Sequence, residues 1–191
     1  IIALILRRPD VLVYTIDKIS SKVASNDVRM DSVYEVLVQK RINYLEIVHA
    51  VSGPVTLGNF LTRRRLVVYL EAFMSGSSTF DLTVDLDHFN EKEFVLHLIK
   101  KYRHRFFVAR KIEKIFSYIA PKAVWGIDDV RHTGELLVAA KEQGIPSYLF
   151  QHGHFTKYHV GWLAHNSSTR HTPRADYIVV WNQYWKNELL R

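Results

Sequence analysis

Residues 121–150 constrain the fold of this 191-residue chain more than any other stretch. After Pro121, the apolar run Ala123 to Ile127 leads into Asp128-Asp129. A helical pattern then spans about Thr133 to Glu142, and Gly144 introduces a second apolar run, Ile145 to Phe150. A strand, a helix closed by glycine and a second strand in that order form a crossover unit, and such units join parallel strands with a right-handed sense. Parallel strands need cover on both faces. The expectation is an α/β chain with a doubly wound, mostly parallel Rossmann-like sheet flanked by helices.

The remaining segments extend this plan. Pro9 to Ile16 is β-branched and apolar and predicts the first well-defined strand. Ser25-Asn26-Asp27 offers caps for a helix predicted from about Val28 to His49, with Val33, Val36, Leu37, Leu45 and Val48 as its stripe and Ser52-Gly53-Pro54 as its end. Residues 66–74 read either as a buried strand or as the start of a helix, because short apolar runs carry no decisive period. A long helix is expected from Asn90-Glu91 to about Ile119, with Phe94, Leu98, Phe106, Ile112, Ile115 and Phe116 apolar and Pro121 as the stop. Tyr177 to Trp181 predicts a late strand, and a helix begins near Gln183. The domain reading is a single unit over 1–191 with a hinge near 75–90, around Ser75-Gly76-Ser77-Ser78.

A hydrophobic content of 48% argues for a packed core, and no window reaches the roughly 18 to 20 apolar residues of a spanning helix. The chain has no cysteine, which rules out disulfide frameworks and thiolate metal sites and agrees with a cytoplasmic setting. It does not begin with Met, so a preceding signal segment stays open. A formal charge of +7 points to an anionic partner: nucleic acid, acidic lipid or a phosphorylated small molecule. The basic residues gather at Arg63-Arg64-Arg65 and between Lys100 and Lys114. No helix-turn-helix, zinc finger or RNA-recognition signature accompanies them, so nucleic acid is not the expected partner.

Chemistry-bearing residues concentrate after the second strand of the crossover unit. Gln151-His152-Gly153 follows Phe150 directly, so an imidazole beside a glycine stands at a strand's carboxyl end, where open α/β sheets gather ligands. Imidazole titrates near neutrality and suits removal of a proton from an attacking hydroxyl; the plainer reading is a hydrogen-bonded turn residue. Gly153 allows a sharp turn, and the Gln151 amide suits a sugar hydroxyl or a phosphate oxygen. Asp128 ends the neighbouring strand and either orients His152 or, with Asp129, caps the following helix. His152, His154, His159, His165 and His171 crowd one segment, but their spacing matches no zinc pattern, and no metal is expected. Lys157, Arg170 and Arg174 suit a diphosphate or are simply solvated, and Tyr158 and Trp162 either stack on a sugar ring or anchor the loop.

Taken together, Ile145 to Gly153, Tyr158-His159-Val160-Gly161-Trp162, Ala175 to Trp181 and Tyr184-Trp185-Lys186 resemble bacterial capsule and surface-polysaccharide glycosyltransferases of GT-B architecture, whose Gln-His-Gly element ends a strand. Glycerophosphotransferases of teichoic acid synthesis carry a comparable His-Gly turn. Asn182 departs from the pattern, standing where that family commonly has Gly. The resemblance implies an N-terminal, acceptor-side half, with the nucleotide-binding C-terminal domain outside this chain. It further implies transfer of a sugar from a nucleotide-activated donor to a surface polysaccharide or lipid-linked acceptor. His152 would be the general base beside Asp128, with Gln151, Gly153, His154, Lys157, Tyr158, His159 and Arg170 binding substrate. No cofactor beyond the nucleotide sugar is implied, and the setting is cytoplasmic with peripheral attachment to the inner membrane face. A sugar-nucleotide 2-epimerase of similar architecture and a non-catalytic nucleic-acid-binding domain are the alternatives.

Overall fold

In a computed structural model, the described residues are 8–17, 30–50, 67–69, 91–127, 132–151 and 174–190. They form β1 (Val11–Asp17), α1 (Asp31–Gln39), β2 (Tyr44–Ala50), β3 (Val67–Tyr69), α2 (Glu91–Ile119), β4 (Ala123–Ile127), α3 (Thr133–Glu142), β5 (Ser147–Phe150), β6 (Tyr177–Val179) and α4 (Gln183–Leu190). The strands make one sheet in the order β3-β2-β1-β4-β5-β6, and every neighbouring pair is parallel. This is the doubly wound order, in which the chain builds outward from β1 in one direction and from β4 in the other.

β1 is the centre of the fold. Val13 sits opposite Glu46 of β2 and opposite Trp125 of β4. Alternate residues of β1 enter two separate cores, which is why its sequence reads as an apolar run instead of an alternation. Val11 and Val13 pack with Met30, Tyr34 and Leu37 around α1, on one face. Leu12 and Tyr14 pack on the other, with Leu45 and Ile47 of β2, Val108, Ile112 and Phe116 of α2, and Leu136 and Ala140 of α3. α1 thus covers one face and α2 with α3 the opposite one, as right-handed crossovers running in opposite directions require.

One polar group interrupts the α1 side. Glu46 is buried on β2 and its Oε1 accepts hydrogen bonds from Thr15 Oγ1 at 3.0 Å and from the Tyr34 hydroxyl at 2.6 Å. These two hydrogen bonds to one oxygen of a buried side chain tie α1 to the two central strands.

The helix ends explain where the sequence reads correctly and where it misleads. α3 closes with Gly144 at φ 65°, with Gly144 N–H donating to the Lys141 carbonyl and Ile145 N–H to the Ala140 carbonyl, a Schellman motif announced by its glycine. α1 closes in the same way: Arg41 has φ 54°, Arg41 N–H donates to Val38 O and Ile42 N–H to Leu37 O. An arginine there hides the stop. The helix expected over 28–49 is therefore corrected to α1 over 31–39 and the strand β2 over 44–50. Leu45 and Val48 lie on opposite faces of β2, and both are buried because the strand is covered on each side. The proposed caps at residues 25–27 fall outside the described residues, and the first residue before α1, Met30, makes no side-chain cap bond.

The long helix is present as α2, with Glu91 and Glu93 in its first turn, favourable beside the positive end of the helix dipole. Its buried residues are Val108, Ala109, Ile112, Phe116 and Ile119, so Phe94 and Phe106 are not core positions. Residues 67–69 resolve the open reading as a strand. The late strands are shorter than expected, at 147–150 and 177–179. The hinge expected near 75–90 lies outside the described residues.

Non-glycine residues with positive φ carry a steric cost that glycine avoids. Arg41→Gly is expected to raise the unfolding free energy by about 0.5–1 kcal/mol, measured by urea denaturation, with the native fold unchanged.

Candidate functional site

The reversal point between β1 and β4 fixes where a ligand crevice forms in such a sheet, outside the carboxyl ends of the strands. β4 and β5 end side by side, with Ile127 in register with Phe150. Of the residues expected at the site, Gln151 is described. His152, Asp128, Gly153, His154, Lys157, Tyr158, His159 and Arg170 lie outside the described residues.

Gln151 is buried, and its polar atoms serve the sheet. Its N–H donates to Val179 O at 2.9 Å, its carbonyl accepts the Trp181 indole N–H at 2.7 Å, and its Oε1 accepts the Trp181 backbone N–H at 3.1 Å. At the other end of the same strand pair, Asp176 Oδ2 accepts from Ser147 N–H at 2.8 Å and from Ser147 Oγ at 2.7 Å, while Asp176 N–H donates to Ser147 Oγ at 3.1 Å. Stacked Tyr148 and Tyr177, 4.7 Å between ring centroids, fill the middle. β6 is three residues long at the sheet edge, and such a strand gains little from its own ladder. These end clamps hold it. Gln151, Asp176 and Trp181, three residues that carry the sequence resemblance, thus hold β6 in register against β5 from its two ends.

A second group of side chains stands at the carboxyl edge on the α2 and α3 face. His49, next to last in β2, meets His132 edge to face at 5.1 Å between ring centroids. His132 directly precedes α3, so the two rings reach across the end of β1 from its two flanks. His132 Nδ1 is 3.9 Å from Oε1 of Glu135, too long for a hydrogen bond and close enough for charge to matter. Glu135, in the first turn of α3, is 3% exposed and receives the Arg105 guanidinium from α2, with Nε–Oε1 2.6 Å and Nη2–Oε2 3.5 Å.

Burial pushes the Glu135 carboxyl up, but the His132 ring and the Arg105 guanidinium pull it further down, so it titrates below its usual 4.5. Its carboxylate in turn raises the Arg105 guanidinium, against the lowering effect of burial. The arrangement supplies imidazoles able to donate and accept protons, backed by a fixed carboxylate. The helical pattern over 28–49 conceals it in the sequence, because it puts His49 on a helix. With 44–50 as a strand, Leu45, Ile47 and His49 share a face and His49 falls at a carboxyl end, the same signal that marks His152. Among the described residues, no three His, Cys, Asp or Glu side chains come together as a metal site.

No family model matches the chain, and no curated protein matches it. Solved structures do. UDP-GlcNAc 2-epimerase from Methanocaldococcus jannaschii aligns over 95% of this chain and 42% of its own, at 12% identity and a TM-score of 0.53. The fold is Rossmann-like. Acinetobacter baumannii MurG aligns over 75% of this chain and 35% of its own, at 12% identity and a TM-score of 0.42. LpCGTa in complex with UDP aligns over 75% and 30%, at 15% identity and a TM-score of 0.39. The chain spans less than half the length of each, and the fold argument rests on the epimerase alone.

Two outcomes test this description. Gln151→Ala is expected to lower stability by about 1–3 kcal/mol in urea denaturation, because the Trp181 N–H loses its acceptor. A lowered carboxyl pKa stabilises the folded state above the unfolded value and loses that contribution as pH falls through the folded one. Glu135→Gln should therefore flatten the loss of stability that the parent shows as pH falls below the usual 4.5 of a glutamate, measured by urea denaturation across an acid pH series.

Proposed function

We propose that this chain is the acceptor-side half of a GT-B-type glycosyltransferase that moves a sugar from a nucleotide-activated donor to a surface-polysaccharide or lipid-linked acceptor. The observation that carries the reading is the register of Ile127 with Phe150 beside the β1–β4 reversal. The residues that follow in sequence are Asp128 on one strand and Gln151-His152 on the other. In this reading His152 takes the proton of the acceptor hydroxyl as it attacks the anomeric carbon, and Asp128 orients the imidazole. Gly153, His154, Lys157, Tyr158, His159 and Arg170 contact substrate, the two basic residues meeting the diphosphate of the donor. The Gln151 clamp supports this by anchoring the residue that precedes His152 in sequence.

The epimerase likeness favours a second reading, a sugar-nucleotide 2-epimerase. The two differ in product. A transferase consumes donor only when acceptor is present and releases the nucleotide, whereas an epimerase converts the donor to its C2 epimer without acceptor.

With the intact protein, an acceptor and a panel of nucleotide sugars, acceptor-dependent release of nucleotide is the expected result. Under the same conditions His152→Ala should lower turnover about a hundredfold with its circular dichroism unchanged and donor affinity retained. Transfer near the parent rate would remove His152 as base, and C2 inversion without acceptor would replace the transferase reading by the epimerase one.

A further inference from the structure

Three aromatic side chains follow the carboxyl end of β6: Trp181, Tyr184 and Trp185. Trp185 is the anchor, partly buried and packed against the buried cluster of Leu137, Leu149 and Ala175. Trp181 and Tyr184 each meet the Trp185 ring edge to face, at 6.4 Å and 87° and at 5.0 Å and 79°. Asn182, which departs from the glycine of the resembled family, starts α4 at once. Its Oδ1 accepts the Trp185 N–H at 3.3 Å and its carbonyl accepts the Lys186 N–H at 3.2 Å, an N-cap that brings Tyr184 and Trp185 into the first turn. The Trp181 indole is fixed a second time by its N–H bond of 2.7 Å to the Gln151 carbonyl. Held in this way, Trp181 is still 53% exposed and Tyr184 61%.

We propose that Trp181 and Tyr184 form a stacking platform for a pyranose ring of the acceptor glycan. An exposed indole held at two points is preorganised, because little rotamer freedom is left to lose when a ligand binds. Its backbone and ring N–H groups are engaged with Gln151, so recognition falls to the ring face. A pyranose suits that face. The C–H groups on one side of the sugar carry partial positive charge and meet the negative face of the π system, while the hydroxyls point away from it. Gln183 and Asn187, exposed on the same helix, carry amides that donate to and accept from hydroxyls. A protein partner would ask for a contiguous apolar patch, whereas Asn182, Gln183, Lys186 and Asn187 around the two rings are polar and exposed. The position agrees as well: Trp181 bonds to Gln151, the residue before His152 in sequence, at the carboxyl edge of the sheet. The inference rests on the transferase reading for the identity of the ligand and adds to it the residues that seat the acceptor.

The test is binding of the intact protein to an immobilised array of bacterial surface polysaccharides and their repeat-unit oligosaccharides, with no donor present. Retention of the parent on at least one glycan is expected. Trp181→Leu/Tyr184→Ala is expected to weaken that binding at least about fivefold at unchanged circular dichroism. Trp181→Phe/Tyr184→Phe, which also lacks the indole bond to Gln151 but keeps two rings, is expected to retain most of it. Parent retention on no glycan overturns the proposal, and so does parent-level binding of the ringless variant. Equal loss in both double variants would leave Trp181 as a clamp alone and overturn it too. The transferase reading fails separately. Ring-dependent glycan binding without any transfer upholds the platform and removes the transferase, whereas transfer whose acceptor KM is unchanged in Trp181→Leu/Tyr184→Ala removes the platform and leaves the transferase.

Discussion

β1 is buried on both faces and hydrogen-bonded on both edges, and the rest of the molecule is arranged around that condition. A strand in this position must carry apolar side chains at successive residues, and its two neighbours must be reached by crossovers that run in opposite directions. α1 then has to lie on one side of the sheet and α3 on the other. The opening left between them at the carboxyl end of β1 follows from connectivity alone. His49 and His132 meet there because one belongs to the strand on the left of β1 and the other to the loop leaving the strand on its right.

Much of this was legible because local chemistry and global position agree over residues 121–150. Pro121, Gly144 and the two apolar runs each mark a boundary that tertiary structure also needs, and β4, α3 and β5 lie within two residues of their expected limits. The first third reads poorly for a comparably specific reason. α1 ends with the same hydrogen bonds as α3, but Arg41 takes the left-handed position that Gly144 fills in the other helix. With the stop concealed, Leu45 and Val48 extend the helical pattern by accident of spacing, and His49 disappears into it.

The residues that carry the family resemblance divide into two kinds. Asp176, Gln151 and Trp181 hold a three-residue strand to the sheet, an architectural task. His152 and the residues beyond it, up to 173, lie outside the described residues, and the task proposed for them is chemical. Motif recognition cannot separate these kinds, since a clamp and a reactive group mark a sequence equally well. The same holds for charge: Arg105 and Arg103 look alike in a basic run, yet one grips the buried Glu135 and the other is exposed and makes no ion pair among the described residues.

The paired clamps on β5 and β6 have a consequence for how such a chain changes over time. Gln151 with Trp181 at one end and Ser147 with Asp176 at the other hold β6 in register on β5 through contacts made wholly by residues of that strand pair and its immediate flanks. Substitutions elsewhere in the sequence can therefore accumulate without shifting the edge of the sheet, because a one-residue slip of β6 would have to break both staples at once.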